Sequence, residues 1–467
     1  MHQNIININK LVISALKGGS GKTILSIGIV SALKEKGVDV RAFKKGPDYI
    51  DAGWLSLASG KNCYSLDTFL MDEKIAENSF YSNAKDAELS LIEGNRGLFD
   101  GIDVAGNTST AEIAKLLKAP VILCLDCTKS TRTVAATVLG CMHFDPDVKI
   151  EGVVLNRYGG PRHRNIVTKT IEHHTGIKVI GAIPRLKGDA FPERHMGLVP
   201  MDEHKWAHDS INNAKEMVLN NVDLDALIDI SKSKEPVKKI ESIEIKKVSS
   251  KEKPVIGIIR DSAFQFYYPE NIEMLERHGA EIKFISPLNN NELPEIDALY
   301  IGGGFPETHA KELSENIKFR DRVKELADCG MPIYAECGGL IYLGKEIVIK
   351  DEIFPMVNIF PISYGIGKKP QGHGYVNVKV AKDNPYYEKG YEIKGHEFRY
   401  SKIIKWDQDD KNMVFEMVRG VGMADSCDGA CYKNVLATYT HIHALGTPEW
   451  AESMIKLSSE YRKRKAS

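Results

Sequence analysis

Short apolar runs alternate with longer stretches of helix-like spacing throughout the first half of the chain. The runs are rich in Val, Ile and Leu and are apolar at nearly every position, which is typical of strands buried on both faces of a parallel sheet. Strands that alternate with helices predict a doubly wound α/β domain. The runs lie at Leu11–Ala15, Val38–Phe43, Leu89–Ile92, Val121–Leu125, Gly152–Leu155 and Val179–Ile183.

The pattern changes between residues 231 and 253, where Lys, Ser and Glu dominate and large apolar residues are scarce. Such a segment buries too little apolar surface to order itself, so we interpret it as a linker, with a solvated surface helix as the alternative. A second α/β pattern then begins, and we predict two domains, over residues 1–230 and 254–467. Its strand-like runs are Val255–Ile259, Ile282–Ile285, Ala298–Ile301 and Ile333–Ala335.

Composition narrows the class of function. The 467 residues include 62 Lys and Arg against 63 Asp and Glu, so no excess of positive charge indicates nucleic acid binding. No apolar run reaches membrane-spanning length, and the polar N-terminal residues do not resemble a signal peptide. Eight scattered cysteines favour free thiols in a reducing compartment over disulfides. We expect a cytoplasmic protein that binds small molecules rather than nucleic acid or membranes.

A glycine-rich segment follows the first apolar run and opens a helical stretch. Its residues are Lys17, Gly18, Gly19, Ser20, Gly21, Lys22 and Thr23. Glycines let backbone N–H groups turn towards phosphate oxygens, and a helix N-terminus adds partial positive charge, so this position predicts an ATP site. Lys22 would contact the terminal phosphates, and the Thr23 hydroxyl would bind Mg²⁺. A glycine-rich turn without a ligand is the alternative.

The usual G-x-x-x-x-G-K-[ST] pattern is not met, because Leu16 occupies its first position. The segment instead resembles the deviant form K-G-G-x-G-K-T. In that superfamily an additional lysine, here Lys17, contacts the nucleotide, often across a dimer. The resemblance therefore raises the expectation of a homodimer.

Acidic residues follow the second and third apolar runs. Asp48 comes after the second run, and Glu93 ends the third. Carboxylates at the carboxyl ends of parallel strands face the ligand crevice, and hard oxygen ligands suit magnesium bound to ATP. Together with Thr23 they predict a magnesium site, although each carboxylate alone would more often cap a turn. Asn156 ends a later strand and is predicted to hydrogen-bond the nucleotide base, with a turn residue as the alternative.

In the second half, an apolar run enters Cys337 and glycines follow at once. This is the layout of a nucleophile elbow, in which the helix N-terminus favours the thiolate and the next backbone N–H, from Gly338, stabilises an oxyanion. An earlier loop containing Gly303 and Gly304 could supply the second oxyanion donor. His441, about a hundred residues further on, is the candidate base. A buried, inert cysteine is the alternative, which the flanking glycines and late histidine disfavour.

Together these segments resemble the cobyrinic acid a,c-diamide synthase family. In that family a dethiobiotin synthetase-like domain is fused to a class I-type glutaminase domain. The resemblance implies amidation of the a and c carboxylates of cobyrinic acid with ATP, Mg²⁺ and glutamine, in cobalamin biosynthesis. It runs in the same order over nearly the whole chain, through FKKGPDYIDAGW, EGNRGLFDG, GVVLNR, FPERHMGLVP, IGGGFPE, AECGGLIYL, GHEFRYS and ATYTHIH.

The resemblance also implies roles for individual residues. Cys337 matches the glutaminase nucleophile, and His441 matches its partner. His443 stands where class I glutaminases keep a triad acid, which implies a Cys–His dyad. The residues that match the ATP and magnesium positions are Lys22, Thr23, Asp48 and Glu93. The residues expected to face the acceptor are Asp51, Tyr49 and Asp100.

Departures from the family pattern leave the acceptor open. Lys17-Gly18-Gly19 replaces a T-x-S-G-x-G opening, and Arg96 stands where many relatives have methionine. A close relative of the family amidates nickel-sirohydrochlorin on the way to coenzyme F430, and the motifs do not separate the two acceptors. A ParA- or MinD-like ATPase switch and a ligase using carbon dioxide are disfavoured by the second domain. Cobyric acid synthase is disfavoured by the segments FKKGPDYID and FPERHMGLVP.

Overall fold

The computed structural model describes residues 8–185, 193–194, 197–198, 206–232, 253–407 and 412–466. Two compact units are present: the described parts of Met1–Thr68 and Asp72–Ile243 form one, and Phe69–Met71 joins the described parts of Glu244–Ser467 in the other. Most of the predicted linker at 231–253 lies outside the described residues, as does most of the FPERHMGLVP segment. No helix in the described ranges is both long and apolar enough to cross a membrane.

A seven-stranded parallel sheet forms the centre of the first unit. Its strands are β1 (Lys10–Ala15), β2 (Val40–Lys45), β3 (Tyr64–Leu66), β4 (Leu89–Glu93), β5 (Val121–Asp126), β6 (Ile150–Tyr158) and β7 (Val179–Pro184). Their order across the sheet is β3-β2-β4-β1-β5-β6-β7. The six predicted apolar runs all fall on strands, whereas the short β3 was not predicted.

Both faces of this sheet are covered, because alternate residues of most of its strands enter two separate hydrophobic cores. In β1, Val12 packs into one core, and Leu11 and Ile13 pack into the other. The prediction of a doubly wound α/β fold is confirmed. The helices are α1 (Lys22–Glu35), α2 (Tyr49–Ser59), α3 (Glu73–Ala84), α4 (Thr110–Leu116), α5 (Arg132–Phe144), α6 (Pro161–Thr175), α7 (Ala207–Asn221) and α8 (Leu224–Ser231). Two short strands, β8 (Glu193–Arg194) and β9 (Gly197–Leu198), pair with each other.

The second unit contains a larger, mixed arrangement of strands. They are β10 (Val255–Ile259), β11 (Glu281–Ile285), β12 (Ala298–Ile301), β13 (Ile333–Glu336), β14 (Glu346–Ile349), β15 (Glu352–Pro355), β16 (Ile362–Ile366), β17 (Gly372–Val380), β18 (Glu392–Arg399), β19 (Ser401–Trp406), β20 (Met413–Arg419), β21 (Cys427–Tyr432), β22 (Val435–Thr438) and β23 (His441–Ile442). The main sheet has the order β11-β10-β12-β13-β22-β21-β20-β17-β18-β23, and the smaller one has the order β15-β14-β16-β19.

In the spatial order given above, neighbouring strands of the main sheet are parallel from β11 as far as β22. All later neighbours, from the β22–β21 pair to the β18–β23 pair, are antiparallel. The four strands predicted here are β10 to β13, so the sequence pattern identified most of the parallel part. The helices of this unit are α9 (Pro269–Arg277), α10 (Ala310–Glu315), α11 (Ile317–Asp328), α12 (Gly338–Leu343) and α13 (Pro448–Ala466), with a 3₁₀ turn at Pro306–His309.

Candidate active sites in the two units

The glycine-rich segment forms the turn between β1 and α1. Gly19 and Gly21 have φ angles of +72° and +91°, values that L side chains rarely adopt, so glycine is required for this path. The Ser20 hydroxyl closes the turn by donating to the carbonyl of Lys17 at 3.0 Å. Lys17 is exposed, whereas Lys22 at the start of α1 is buried. The structure therefore has the strand, loop and helix that the phosphate-site prediction required.

Asn156 lies against this loop, although it is far away in the chain. Its side-chain Nδ2 donates to the carbonyl of Ser20 at 2.8 Å. A Cβ atom at Gly21 would lie 2.3 Å from the same Nδ2, so Asn156 occupies space that only a glycine leaves open. The hydrogen bond from Asn156 stabilises the loop. Contact between Asn156 and a nucleotide base stays a prediction.

Carboxylates meet beside the loop at the carboxyl ends of β2 and β4. Thr23 Oγ1 donates to Glu93 Oε1 at 2.7 Å and lies 3.2 Å from Asp51 Oδ2. Lys44 Nζ donates to Asp51 Oδ2 at 2.6 Å and to Glu93 Oε1 at 2.9 Å. The Lys44 side chain is almost completely buried. Sequence reasoning assigned no role to Lys44, whose only signal is its position at the end of the second apolar run.

The charges in this cluster depend on one another. Burial by itself lowers the pKa of Lys44, but the negative charges of Asp51, Glu93 and Asp48 outweigh it and hold that pKa above its usual value. Burial raises the pKa of Glu93 to about 7, against the opposing effect of Lys44. Burial and the charge of Asp51 raise the pKa of Asp48 to about 6. Lys44 is therefore a permanent cation beside Glu93 and Asp48, which burial makes costly to ionise.

The predicted magnesium ligands fit the ion in part. Glu93 Oε2 is buried and has no hydrogen-bond partner among the described residues, so one hard oxygen stands next to the Thr23 hydroxyl. Asp48 caps helix α2 by accepting from the Asp51 N–H at 3.0 Å. Within the described ranges, no three Asp, Glu, His or Cys side chains form a group able to hold a metal alone. Mg²⁺ usually completes its shell with water and phosphate oxygens, and its binding here stays a prediction.

The three residues expected to face the acceptor differ in their burial and in their contacts. Asp51 belongs to the Lys44 cluster. Tyr49 is the first residue of α2 and is half-buried. Asp100 is exposed and accepts from the Gly97 N–H at 2.8 Å, which holds a turn. Their part in acceptor binding stays a prediction.

In the second unit, Cys337 joins β13 to α12 at a sharp turn. Its φ is +47°, an unusual value for a residue with a side chain and one that is frequent at strained functional turns. The Cys337 N–H donates to the Thr438 carbonyl at 2.7 Å. A Cβ atom at Gly339 would lie 2.5 Å from the carbonyl oxygen of Ile301. The geometry agrees with the nucleophile elbow predicted from the sequence.

The loop Gly302–Gly304 lies directly against this turn. A Cβ atom at Gly338 would lie 2.9 Å from the backbone nitrogen of Gly304, and one at Gly303 would lie 2.5 Å from His441 Cε1. The side chain of Tyr267 accepts from the Gly302 N–H at 2.7 Å and so holds the loop. The structure thus brings together the three predicted oxyanion-hole glycines, whose role in catalysis stays a prediction.

His441 is buried next to Cys337. Burial lowers its pKa, but a hydrogen bond with Cys337 and an interaction with Glu336 raise it, with a net value of about 10. His441 Nδ1 lies 3.5 Å from Glu336 Oε2. A histidine with such a pKa holds its proton at neutral pH.

His443 meets a different set of groups. Its Nε2 lies 3.6 Å from Glu270 Oε1, and its ring lies 4.6 Å from that of Tyr268. Its Nδ1 accepts from the Leu445 N–H at 3.3 Å. The sequence placed His443 at the position of the triad acid, and the structure places it beside Glu270 and Tyr268.

Two further residues support the ATYTHIH segment and were not identified from the sequence. His396, in the GHEFRYS segment, stacks on His441 with ring centroids 4.8 Å apart. The fully buried carboxylate of Asp428 accepts from the hydroxyls of Thr438 and Thr440 at 2.7 and 2.8 Å, and from the Thr440 N–H at 3.0 Å. Hydrogen bonds of this kind fix the chain immediately before His441.

Comparison with known families defines the class of protein. Residues 11–199 match the CobQ/CobB/MinD/ParA nucleotide binding domain, and residues 255–449 match the CobB/CobQ-like glutamine amidotransferase domain. A nucleotide-binding domain followed by a glutamine amidotransferase domain identifies a glutamine-dependent, amide-forming ligase. The two matched domains favour this class over the alternatives of an ATPase switch and of a ligase using carbon dioxide.

Relatives that match over nearly their whole length identify the family. The chain is 38% identical to a protein of Magnetococcus marinus and 37% identical to one of Archaeoglobus fulgidus, both named cobyrinate a,c-diamide synthase. Each comparison covers 97% of this chain and 98% of the relative. The chain belongs to the cobyrinate a,c-diamide synthase family. Among solved structures, PurLQS of Thermotoga maritima aligns over 45% of this chain and 100% of its own, with 17% identity and a TM-score of 0.34, too weak a likeness to bear on function.

Proposed function

We propose that the chain converts the a and c carboxylates of cobyrinic acid into carboxamides, with ATP and glutamine as co-substrates. The observation that carries this proposal is the full-length likeness to proteins named cobyrinate a,c-diamide synthase. The contact between Cys337 and His441 supports glutamine as the nitrogen source. The loop at Lys22 supports ATP as the activating nucleotide.

Glutamine hydrolysis takes place in the second unit. The Cys337 thiolate attacks the side-chain amide carbon of glutamine, forming a C–S bond and a tetrahedral oxyanion. N–H groups of Gly338 and of the Gly303–Gly304 loop hydrogen-bond that oxyanion. His441 gives its proton to the departing nitrogen, the C–N bond breaks and ammonia leaves. His441 then accepts a proton from water, which hydrolyses the thioester to glutamate and restores the cysteine.

Acceptor activation takes place in the first unit. A carboxylate oxygen of the macrocycle attacks the γ-phosphorus of ATP, and the bond to the bridging oxygen breaks to release ADP. Lys22 and Lys17 neutralise the charge on the phosphates. Thr23 and Glu93 would hold Mg²⁺, which would supply further positive charge at the phosphates. Ammonia then attacks the acyl carbon, inorganic phosphate leaves and an amide results; two rounds yield the diamide.

Lys44 has a structural part in this proposal. Its ammonium group contacts Asp51 and Glu93 at once, so it holds both carboxylates in place beside Thr23 and opposes the rise that burial causes in the pKa of Glu93. A cation fixed here sets the geometry into which ATP and its metal bind.

The test is the mass of the product. The protein is incubated with ATP, Mg²⁺ and glutamine, with cobyrinic acid and nickel-sirohydrochlorin offered separately, and each amidation lowers the mass of the acceptor by about 1 Da. The proposal expects two such steps on cobyrinic acid. Two steps on nickel-sirohydrochlorin alone would contradict the proposed acceptor and move the enzyme to coenzyme F430 synthesis. No change on either, with glutamine hydrolysis intact, would indicate another acceptor.

A further inference from the structure

The residue immediately before the nucleophile is a fully buried glutamate, Glu336. Its two oxygens have separate partners. Oε1 accepts from the Ile442 N–H at 3.0 Å. Oε2 accepts from the Tyr300 hydroxyl at 3.0 Å and lies 3.5 Å from His441 Nδ1. A carboxylate buried this deeply is stable only when paired, and His441 is the titratable partner that can carry the opposite charge.

Consecutive residues of a strand normally point to opposite faces, so two neighbours seldom serve the same group. The turn at Cys337 removes this restriction. Strand β13 ends at Glu336, and Cys337 follows with a φ of +47°, so both side chains reach the same imidazole. Glu336 faces Nδ1 of His441, while Cys337 hydrogen-bonds to the ring.

The other charged and titratable groups around His441 do not supply this negative charge. His396 stacks on the ring, and burial together with the charges of His441 and His443 holds the pKa of His396 well below its usual value, so it is neutral. His443 contacts Glu270 at 3.6 Å. A histidine at position 443 cannot act as the anion of a triad.

We propose that Glu336 is a positioning residue for glutamine hydrolysis, which orients the His441 ring through Nδ1 and stabilises its protonated form. The inference rests on the proposed roles of Cys337 and His441. In the resting enzyme the thiol proton moves from Sγ of Cys337 to Nε2 of His441, which leaves a thiolate and an imidazolium. The Glu336 carboxylate lowers the energy of that charged pair. The acid of the triad thus comes from the residue before the nucleophile rather than from the segment around the histidine.

A purely structural role for Glu336 makes a different prediction. The Glu336→Gln side chain keeps the shape and can still accept from the Ile442 N–H, so the strand contact survives. Its amide N–H would donate to His441 Nδ1 and leave the ring proton on Nε2, where the ring cannot accept the thiol proton. The same change of tautomer underlies the large effect of an Asp→Asn substitution in serine protease triads.

The experiment compares full-length wild type with Glu336→Gln, Glu270→Gln and Cys337→Ala. Glutamine hydrolysis gives kcat and KM, and iodoacetamide alkylation at pH 7, read from the mass of the Cys337 peptide, gives thiolate formation; the peptide readout is needed because the chain has eight free cysteines. We expect Glu336→Gln to lower kcat at least about tenfold with little change in KM, and to slow alkylation of Cys337. Glu270→Gln, the same change beside His443, should alter kcat by less than about twofold.

The outcomes separate the two proposals. Glutamine hydrolysis that persists in Cys337→Ala would contradict the proposed function itself. If Cys337→Ala does not hydrolyse glutamine but Glu336→Gln keeps the wild-type kcat or the wild-type alkylation rate, only the role of Glu336 is overturned. Equal losses in Glu336→Gln and Glu270→Gln, or a large fall in the thermal unfolding temperature of Glu336→Gln, would show that the carboxylate is structural and would also overturn it.

Discussion

The two units each bury a basic side chain among acidic groups, with opposite consequences. In the first unit, Lys44 contacts Asp51 and Glu93 at 2.6 and 2.9 Å. In the second, His441 lies between Cys337 and Glu336. A lysine with a raised pKa never gives up its proton in the working range, whereas an imidazole can exchange one with a neighbouring thiol.

This difference shows what each site needs. Phosphoryl transfer depends on fixed charge and position, because little proton movement accompanies it. Amide hydrolysis needs one proton accepted and one donated within a single cycle. In the proposed mechanism the Lys44 cluster holds charge, and the Cys337–His441 pair moves a proton. Substitutions in the two clusters should fail in different ways.

The largest effect is expected at the nucleophile. Cys337→Ala should reduce glutamine-dependent amidation by more than about a thousandfold, because no other group forms the thioester. Amidation with ammonium salts should be retained, since the proposed mechanism activates the acceptor in the first unit. The measurement is amide formation with each nitrogen source. Loss of both activities would contradict the division of labour between the units.

The next largest effect is expected from removing the fixed cation. Lys44→Met leaves Asp51 and Glu93 buried without their partner, and should lower the free energy of unfolding of the first unit by about 3–5 kcal/mol. Ammonium-dependent amidation should fall as well. Lys61→Met, which breaks the more exposed pair of Lys61 with Asp39, is the control and should cost at most about 1 kcal/mol. Similar losses in urea unfolding for both variants would contradict a special role for Lys44.

A smaller effect is expected where the glycine loop meets the imidazole. Gly303→Ala places a Cβ atom 2.5 Å from His441 Cε1, so the ring must move away from Cys337. We expect the kcat of glutamine hydrolysis to fall about ten- to a hundredfold, with ammonium-dependent amidation unchanged. Gly140→Ala, where a Cβ atom would meet nothing within 4 Å, should retain wild-type kcat. A Gly303→Ala variant as active as Gly140→Ala would show that this close approach is not needed.

A gradual effect, spread over several pH units, is expected in the pH dependence of stability. Because the pKa of His441 is raised to about 10 in the folded protein from about 6.5 when unfolded, the folded state binds more protons between these values. The stability from this group is complete below pH 6.5 and is lost as pH rises towards 10, by at most about 1.4 kcal/mol per pH unit. Urea unfolding of wild type and His441→Gln should show a difference that shrinks with rising pH. A constant difference would contradict the raised pKa.

Local sequence patterns predicted the parts of the sites that depend on backbone path. The apolar runs before Lys17 and Cys337 identified strands. The glycines that follow identified turns, because a backbone with positive φ favours glycine. The short β3 carried too little periodicity to be recognised. Strand β17 alternates in part between buried and exposed positions, but the pairing order of the antiparallel strands is not encoded in any local window.

The sequence by itself therefore determined the two α/β patterns, the glycine-rich loop after β1, the turn at Cys337 and the family. Only the tertiary structure decided which ionisable side chains lie close enough to affect each other's charge. Glu336 meets the Ile442 N–H from 106 positions away in the chain, and Lys44 meets Glu93 from 49 positions away. Electrostatic coupling depends on distance through space and on burial, not on separation along the chain, so these partners become visible only when the sheets bring their strand ends together.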